Sequence, residues 1–275
     1  MKVFQVDLYD YYRRKKTGNG GLLTCYVADC LTEISSRSRP AMVIFPGGGY
    51  KFISERENEP VALKFLQEGF NVFVLTYSVD TAFPHPLVEA SMAISYVREN
   101  AVKLHVIPDK ICAMGFSAGG HLAGMSATMF RYSMEHGISR CRPDAVALCY
   151  PVITSDNKFA HGGSFDVISG GDEQLRSQLS LENAVDENSS PAFIWHTFED
   201  NLVPVENSVL MAQAYARNRV PFELHIFEKG GHGLSVDDRQ TWNSFDDTTK
   251  PFDACQWTEL LVRWLRSRGF TISID

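Results

Sequence analysis

Three residue types at wide spacing suggest one chemistry. Ser117 stands in Gly115-Phe116-Ser117-Ala118-Gly119, a G-x-S-x-G pattern directly after an apolar run. A hydroxyl is a weak nucleophile until a base takes its proton, and that base is commonly a histidine held by a carboxylate. His232 in GGHGL and Asp200 in FEDNLVP follow in the order Ser, Asp, His. A serine on a sharp strand-to-helix turn adopts a strained backbone, so residues two positions away on either side must lack bulk, as Gly115 and Gly119 do. The helix beginning there would aim its first amides, Ala118 among them, at an oxyanion formed beside the serine. A second cluster, Pro46-Gly47-Gly48-Gly49-Tyr50, reads as an oxyanion loop in which Gly47, Gly48 or Gly49 supplies another N–H donor. A phosphate loop is the weaker reading, because no Lys-Ser or Lys-Thr ends the cluster and no G-x-G-x-x-G spacing exists.

The remaining histidines have ordinary explanations. His121 lies one helical turn past the serine and suits local packing, while His196 and His225 fall within strands. His105, His136 and His161 fall on loops or helix ends. His85, between Pro84 and Pro86, is a turn residue and a candidate substrate contact, as is Tyr50. No histidine or acid pair has zinc-ligand spacing with a third partner, so no metal and no cofactor are expected.

The elements that must carry these residues follow from hydrophobic period. Strand-like runs occupy about 3–8, 22–31, 41–45, 71–77, 110–116, 145–151, 192–198 and 222–228. The first two suggest a hairpin, with the basic run Arg13-Arg14-Lys15-Lys16 and the following glycines at a solvated tip. The later runs, such as AMVIF and VFVLTY, are continuous and apolar and mostly alternate with helical patterns. That combination argues for parallel strands buried on both faces. Helices are expected near 57–68, 86–101, 118–130, 204–218 and 254–267, with the tryptophans of the last in the core, and a short helix near 173–181. On this topology Ser117, Asp200 and His232 all fall on loops at the carboxyl edge of one sheet.

Composition limits the partners. With 275 residues, 44% hydrophobic, the chain suits one α/β domain spanning 1–275. Twenty-six basic against 33 acidic residues leave a net charge of −7, so nothing favours nucleic acid or an anionic membrane as partner. The first ten residues carry acids and lack a signal-peptide core, and no run is long enough to span a membrane. The six cysteines form no Cys-x-x-Cys pair and sit mostly in apolar runs, which fits a cytoplasmic chain.

PGGGY at 46–50, YSV at 77–79, GFSAGGHLAG at 115–124, WHTFEDNLVPVENS at 195–208 and GGHGL at 230–234 together give the chain its likeness. It resembles the α/β-hydrolase fold, and within it the esterases that include acetyl-esterase-like and xylan-esterase-like sugar-ester hydrolases. The resemblance spans nearly the whole chain. It implies an eight-stranded, mostly parallel sheet with helices on both faces and a minimal cap, with Ser117 as nucleophile, His232 as base and Asp200, rather than its neighbour Glu199, as orienting acid. It also implies a small-molecule ester substrate, an acylated sugar first among them. Trp242 and Phe245 are then candidates to stack on a sugar face. Where many relatives have His-Gly-Gly-Gly, this chain has Pro46-Gly47-Gly48-Gly49, so the buttress of the oxyanion loop must differ. Two alternatives stay open: an amide or formamide hydrolase of the same fold, and a non-catalytic ligand-binding member.

Overall fold

Strand alternation divides the core between the two faces of one sheet. In β3 (Arg39–Phe45), Ala41, Val43 and Phe45 point to one apolar cluster, while Met42 and Ile44 point to another. The computed structural model describes residues 1–30, 33, 37–241 and 253–273. Its other strands are β1 (Lys2–Asp7), β2 (Leu22–Val27), β4 (Asn71–Thr76), β5 (Val106–Phe116), β6 (Ala145–Cys149), β7 (Ala192–Thr197) and β8 (Phe222–Phe227). The sheet order is β1-β2-β4-β3-β5-β6-β7-β8. β2 pairs antiparallel with both β1 and β4, and every pair from β4–β3 to β7–β8 is parallel. Parallel strands need crossovers, and helices supply most of them.

Among the described residues the helices are α1 (Leu8–Tyr11), α2 (Glu59–Gln67), α3 (His85–Glu99), α4 (Ala118–Thr128), α5 (Phe130–Glu135), α6 (Gly162–Ser169), α7 (Glu173–Gln178), α8 (Glu206–Arg217) and α9 (Trp257–Ser267). Residues of α3, α4 and α8 join the cluster on one face, and residues of α2 and α9 join the other. Trp257 of α9 is buried and stacks on Trp195 of β7 at 5.1 Å, so it is core, as its spacing implies. None of the described helices is long and apolar enough to cross a membrane.

Four local expectations are corrected. β1 and β2 pair as expected, but α1 interrupts the turn, capped by Asp7, whose side chain accepts the Tyr9 and Asp10 N–H groups. The basic run is therefore no free tip. Arg14 donates to His136 O at 2.7 Å, and the Gly20 N–H donates to Ser78 Oγ at 2.9 Å, which binds the segment to the sheet. The second strand ends at Val27, not 31. The helix after Ser117 stops at Thr128, where the hydroxyls of Ser126 and Thr128 donate back to Ala123 O and Gly124 O and compete with its hydrogen-bond ladder. Between β6 and β7 the expected short helix appears as α7, and α6 precedes it, opening on Gly162-Gly163, residues that gave no helical signal.

Candidate active site

The strand-to-helix turn is fixed by sterics. Ser117 has φ 54° and ψ −119°, a conformation costly for a residue with a side chain. A Cβ on Gly115 would lie 1.9 Å from Gly119 O, and one on Gly119 would lie 2.0 Å from Phe45 O. Only glycine fits at either position. The Ser117 N–H donates to Cys149 O at 3.0 Å, and Ser117 O accepts the Val152 N–H at 3.1 Å. The turn is thereby tied to the end of β6. Ser117 remains 7% exposed, at the floor of a cleft of about 750 Å³.

Two loops bring the partners. His232, after β8, has Nε2 2.8 Å from Ser117 Oγ, and its Nδ1 is 2.6 Å from Asp200 Oδ2. A carboxylate can only accept, so Nδ1 carries the hydrogen and Nε2 is left to receive the serine proton. Asp200 is buried in the loop after β7, and its Oδ1 accepts the N–H groups of Leu202 and Val203 at 3.0 and 2.9 Å. His196 approaches the same carboxylate. Its Nε2 lies 2.9 Å from Val203 O and 3.3 Å from Asp200 Oδ2, both acceptors, so it too carries a hydrogen there. Burial raises the Asp200 carboxyl, but hydrogen bonds from His196, His232 and the Val203 N–H outweigh it and hold the group well below the usual carboxylate range. Asp200 therefore stays ionised beside the imidazole. Glu199 points away, bound to Lys229 Nζ at 2.7 Å and to the Gly230 N–H at 3.2 Å.

The glycine loop divides its roles. The Gly47 N–H donates to Glu57 Oε2 at 2.7 Å and is not free for an oxyanion. Gly48 and Gly49 line the cleft with Ser117 and His232. Gly48 has φ 125°, and a Cβ there would lie 1.9 Å from Phe52 O, so the close turn requires glycine. Ala118 begins α4, and the first N–H groups of a helix have no intrahelical acceptor.

The candidate substrate contacts fare differently. Tyr50, in a left-handed turn at φ 62°, is fully buried, and its hydroxyl donates to His121 Nδ1 at 2.8 Å. His121 Nε2 donates to Leu179 O at 2.8 Å, and burial lowers this histidine to about 4. Tyr50 is thus a buttress under α4 and does not line the cleft. His85 opens α3 and pairs with Thr17 Oγ1 at 2.9 Å, also away from the cleft. Trp242 and Phe245 lie outside the described residues.

The cleft also contains residues that sequence reasoning passed over. Phe52 and Leu202, both largely exposed, form apolar lips. His161 lines the wall, with Nδ1 2.7 Å from Ser164 Oγ, and burial together with the nearby His232 and Lys51 lowers its proton affinity. Glu57 is buried beneath the glycine loop. From sequence His161 falls on a loop or helix end and Glu57 at a helix start. No periodic pattern or flanking residue distinguished either from a solvated neighbour.

A serine, a histidine and an aspartate joined this way at the carboxyl edge of a mostly parallel sheet define the α/β-hydrolase class. Known proteins agree. A model described as the prolyl oligopeptidase family matches residues 93–256, and one described as BD-FAE matches residues 30–146. Endo-1,4-beta-xylanase B of Butyrivibrio fibrisolvens is 40% identical over 210 residues, covering 72% of this chain and 33% of that protein. Acetylxylan esterase of Xylanibacter ruminicola is 31% identical over 239 residues, covering 82% of this chain and 45% of that protein. The crystal structure of an acetyl ester-xyloside bifunctional hydrolase from Caldicellulosiruptor lactoaceticus superposes with a TM-score of 0.78 at 40% identity, over 91% of this chain and 89% of that one. The chain belongs to the prolyl oligopeptidase family of α/β-hydrolases. It spans less than half the length of the two curated relatives named here.

Proposed function

We propose that the protein hydrolyses short-chain carboxylic esters, acetyl groups on sugar hydroxyls foremost, through an acyl-enzyme. The observation that carries this reading is the continuous contact from Ser117 Oγ to His232 Nε2 at 2.8 Å and from His232 Nδ1 to Asp200 Oδ2 at 2.6 Å, open to a cleft. His232 takes the serine proton as Oγ attacks the ester carbonyl, and ionised Asp200 stabilises the imidazolium that forms. The N–H groups of Ala118 and Gly48 hold the oxyanion. His232 then gives its proton to the leaving alcohol. Water, deprotonated by His232, attacks the acyl-enzyme and releases the acid and Ser117. No step needs a cofactor.

The acetyl-sugar preference is supported by the likeness to an acetylxylan esterase and an acetyl ester-xyloside hydrolase and by the cleft itself. Its walls include Gly48, Gly49, Gly163 and Gly233, which offer little apolar depth to a long acyl chain. Each buried methylene adds only about 0.8 kcal/mol, and without a tunnel that gain ends after a few carbons. One plate tests the reading: p-nitrophenyl esters from acetate to palmitate, N-formyl aniline and acetylated xylo-oligosaccharides, with wild type and Ser117→Ala. Turnover should peak between acetyl and butyryl, include the acetylated sugar, and fall about 10⁴-fold or more in the variant. An optimum at octanoate or longer overturns the acyl assignment. Preference for the formanilide favours an amide hydrolase, and a Ser117→Ala rate within tenfold of wild type removes the nucleophile.

A further inference from the structure

Glu57 is a carboxylate buried at 3% exposure beneath the reacting groups, with no role in the proton transfers above. Burying a carboxylate costs free energy, and a buried ionic group is weak evidence for stability. Its contacts indicate another use. Oε2 accepts the Gly47 N–H and Oε1 accepts the Tyr150 hydroxyl, each at 2.7 Å. The Tyr150 oxygen also accepts the Ser235 N–H at 2.9 Å, and Ser235 lies three residues beyond His232. Ser235 is held in turn, its hydroxyl donating to Arg56 O at 2.6 Å and its carbonyl accepting the Trp257 indole N–H at 2.8 Å. The Tyr150 ring packs edge-on against His232 at 5.1 Å. One carboxylate therefore touches the oxyanion loop directly and the histidine loop through a single phenol.

The distances are tight on the nucleophile side as well. A Cβ on Gly47 would lie 2.7 Å from Glu57 Oε2 and 3.1 Å from Ser117 Cβ, so the Gly47 backbone is wedged between carboxylate and nucleophile. Fixing Gly47 fixes the next peptide, the one that carries the Gly48 N–H.

We propose that Glu57 is a positioning residue that sets the spacing between the Gly48 oxyanion donor and the His232 base, through Gly47 on one side and Tyr150 on the other. The inference rests on the ester-hydrolase reading. What matters is reach to two donors, not charge. In Glu57→Gln the amide oxygen can accept from Gly47 while its NH₂ donates to the Tyr150 oxygen, so the span survives although the phenol O–H gives up its acceptor. Glu57→Asp keeps the charge but is one methylene too short to meet both donors.

The test measures kcat on p-nitrophenyl acetate per active site titrated with a fluorophosphonate, together with KM and the affinity of a trifluoromethyl ketone, which forms a tetrahedral oxyanion on Ser117. Glu57→Gln should stay within about tenfold of wild type, while Glu57→Asp should lose about 100-fold in kcat, the scale of one lost oxyanion donor, with KM within about threefold. Ketone affinity should fall in step with kcat/KM. A purely structural role would lower the number of titratable sites and leave kcat per site unchanged, which overturns the proposal. Glu57→Asp exceeding Glu57→Gln, or a loss confined to KM, also overturns it. If Glu57→Asp does not fold, Tyr150→Phe carries the test: kcat per site should drop about tenfold, consistent with losing one hydrogen bond, and an unchanged value overturns the proposal. Wild-type inactivity on every ester would instead strike the ester-hydrolase reading.

Discussion

The turn that carries Ser117 and the loops that carry Asp200 and His232 are held by different physics. At the turn, backbone is packed against backbone so closely that a single Cβ would meet a carbonyl at about 2 Å. The Asp200 and His232 loops have few such contacts, and side-chain hydrogen bonds fix them: two N–H groups and two histidines on Asp200, one phenol beneath Ser235. Steric fixing tolerates no substitution but needs no partner. Hydrogen-bonded fixing tolerates substitutions that preserve donors and acceptors, and it fails when one partner changes its chemistry.

Changing the chemistry of the hydrogen-bonded side should have the largest effect on turnover. Asp200→Asn alters no volume, yet its NH₂ can face His232 Nδ1 and favour the wrong imidazole tautomer, so kcat should fall by roughly 10² to 10⁴. Glu199→Gln, on the same loop but paired with Lys229, should change kcat by less than about twofold, as an exposed ion pair warrants. Steady-state kinetics on the two variants checks both. Reversed results would make Glu199 the acid.

Breaking the steric side should act through the fold. Gly119→Ala adds one methyl against Phe45 O and Pro46 O, and overpacking of this kind costs about 3 kcal/mol or more. For a chain of this size that corresponds to a melting temperature lower by roughly 10 °C, readable by circular dichroism. A wild-type melting temperature would show that the turn can relax.

The smallest effect on turnover should come from His121, which is hydrogen-bonded but remote from the proton path. Burial lowers it from 6.5 to about 4 in the folded protein, so between those values the unfolded chain binds the extra proton. Its neutral form is fully compatible with folding above pH 6.5, and stability is lost as pH falls toward 4, by roughly 3 kcal/mol at most. Urea midpoints across that range should show the slope, and His121→Gln should flatten it. An unchanged slope in the variant would assign the acid sensitivity to other groups.

The same contrast explains what could be read from sequence. Steric fixing leaves a local mark, because glycines at 115, 119 and 120 must stand near the serine, and continuous apolar runs mark strands covered on both faces. Hydrogen-bonded fixing leaves almost none. Glu57 meets Tyr150 across 93 residues and Gly47 across ten, and nothing in ERENEP separates it from acids that face water. Tyr50 illustrates the converse: its place in the glycine cluster suggested the cleft, and a left-handed turn sent its ring into the core instead. Helix α6 was illegible because two glycines open it, and its packing stabilises what local propensity does not.

Strand order also governs when the proposed site is assembled as the protein folds. Ser117 and His232 are 115 residues apart, and His232 rides on the loop after β8, which among the described residues pairs only with β7. Non-local parallel pairing must first overcome the entropy of closing long loops, so such contacts form slowly. During synthesis the Ser117 turn emerges more than a hundred residues before His232. On the proposed mechanism a nascent chain holds an inert serine until the far edge of the sheet is in place, and the appearance of activity would mark completion of the sheet, not its nucleation.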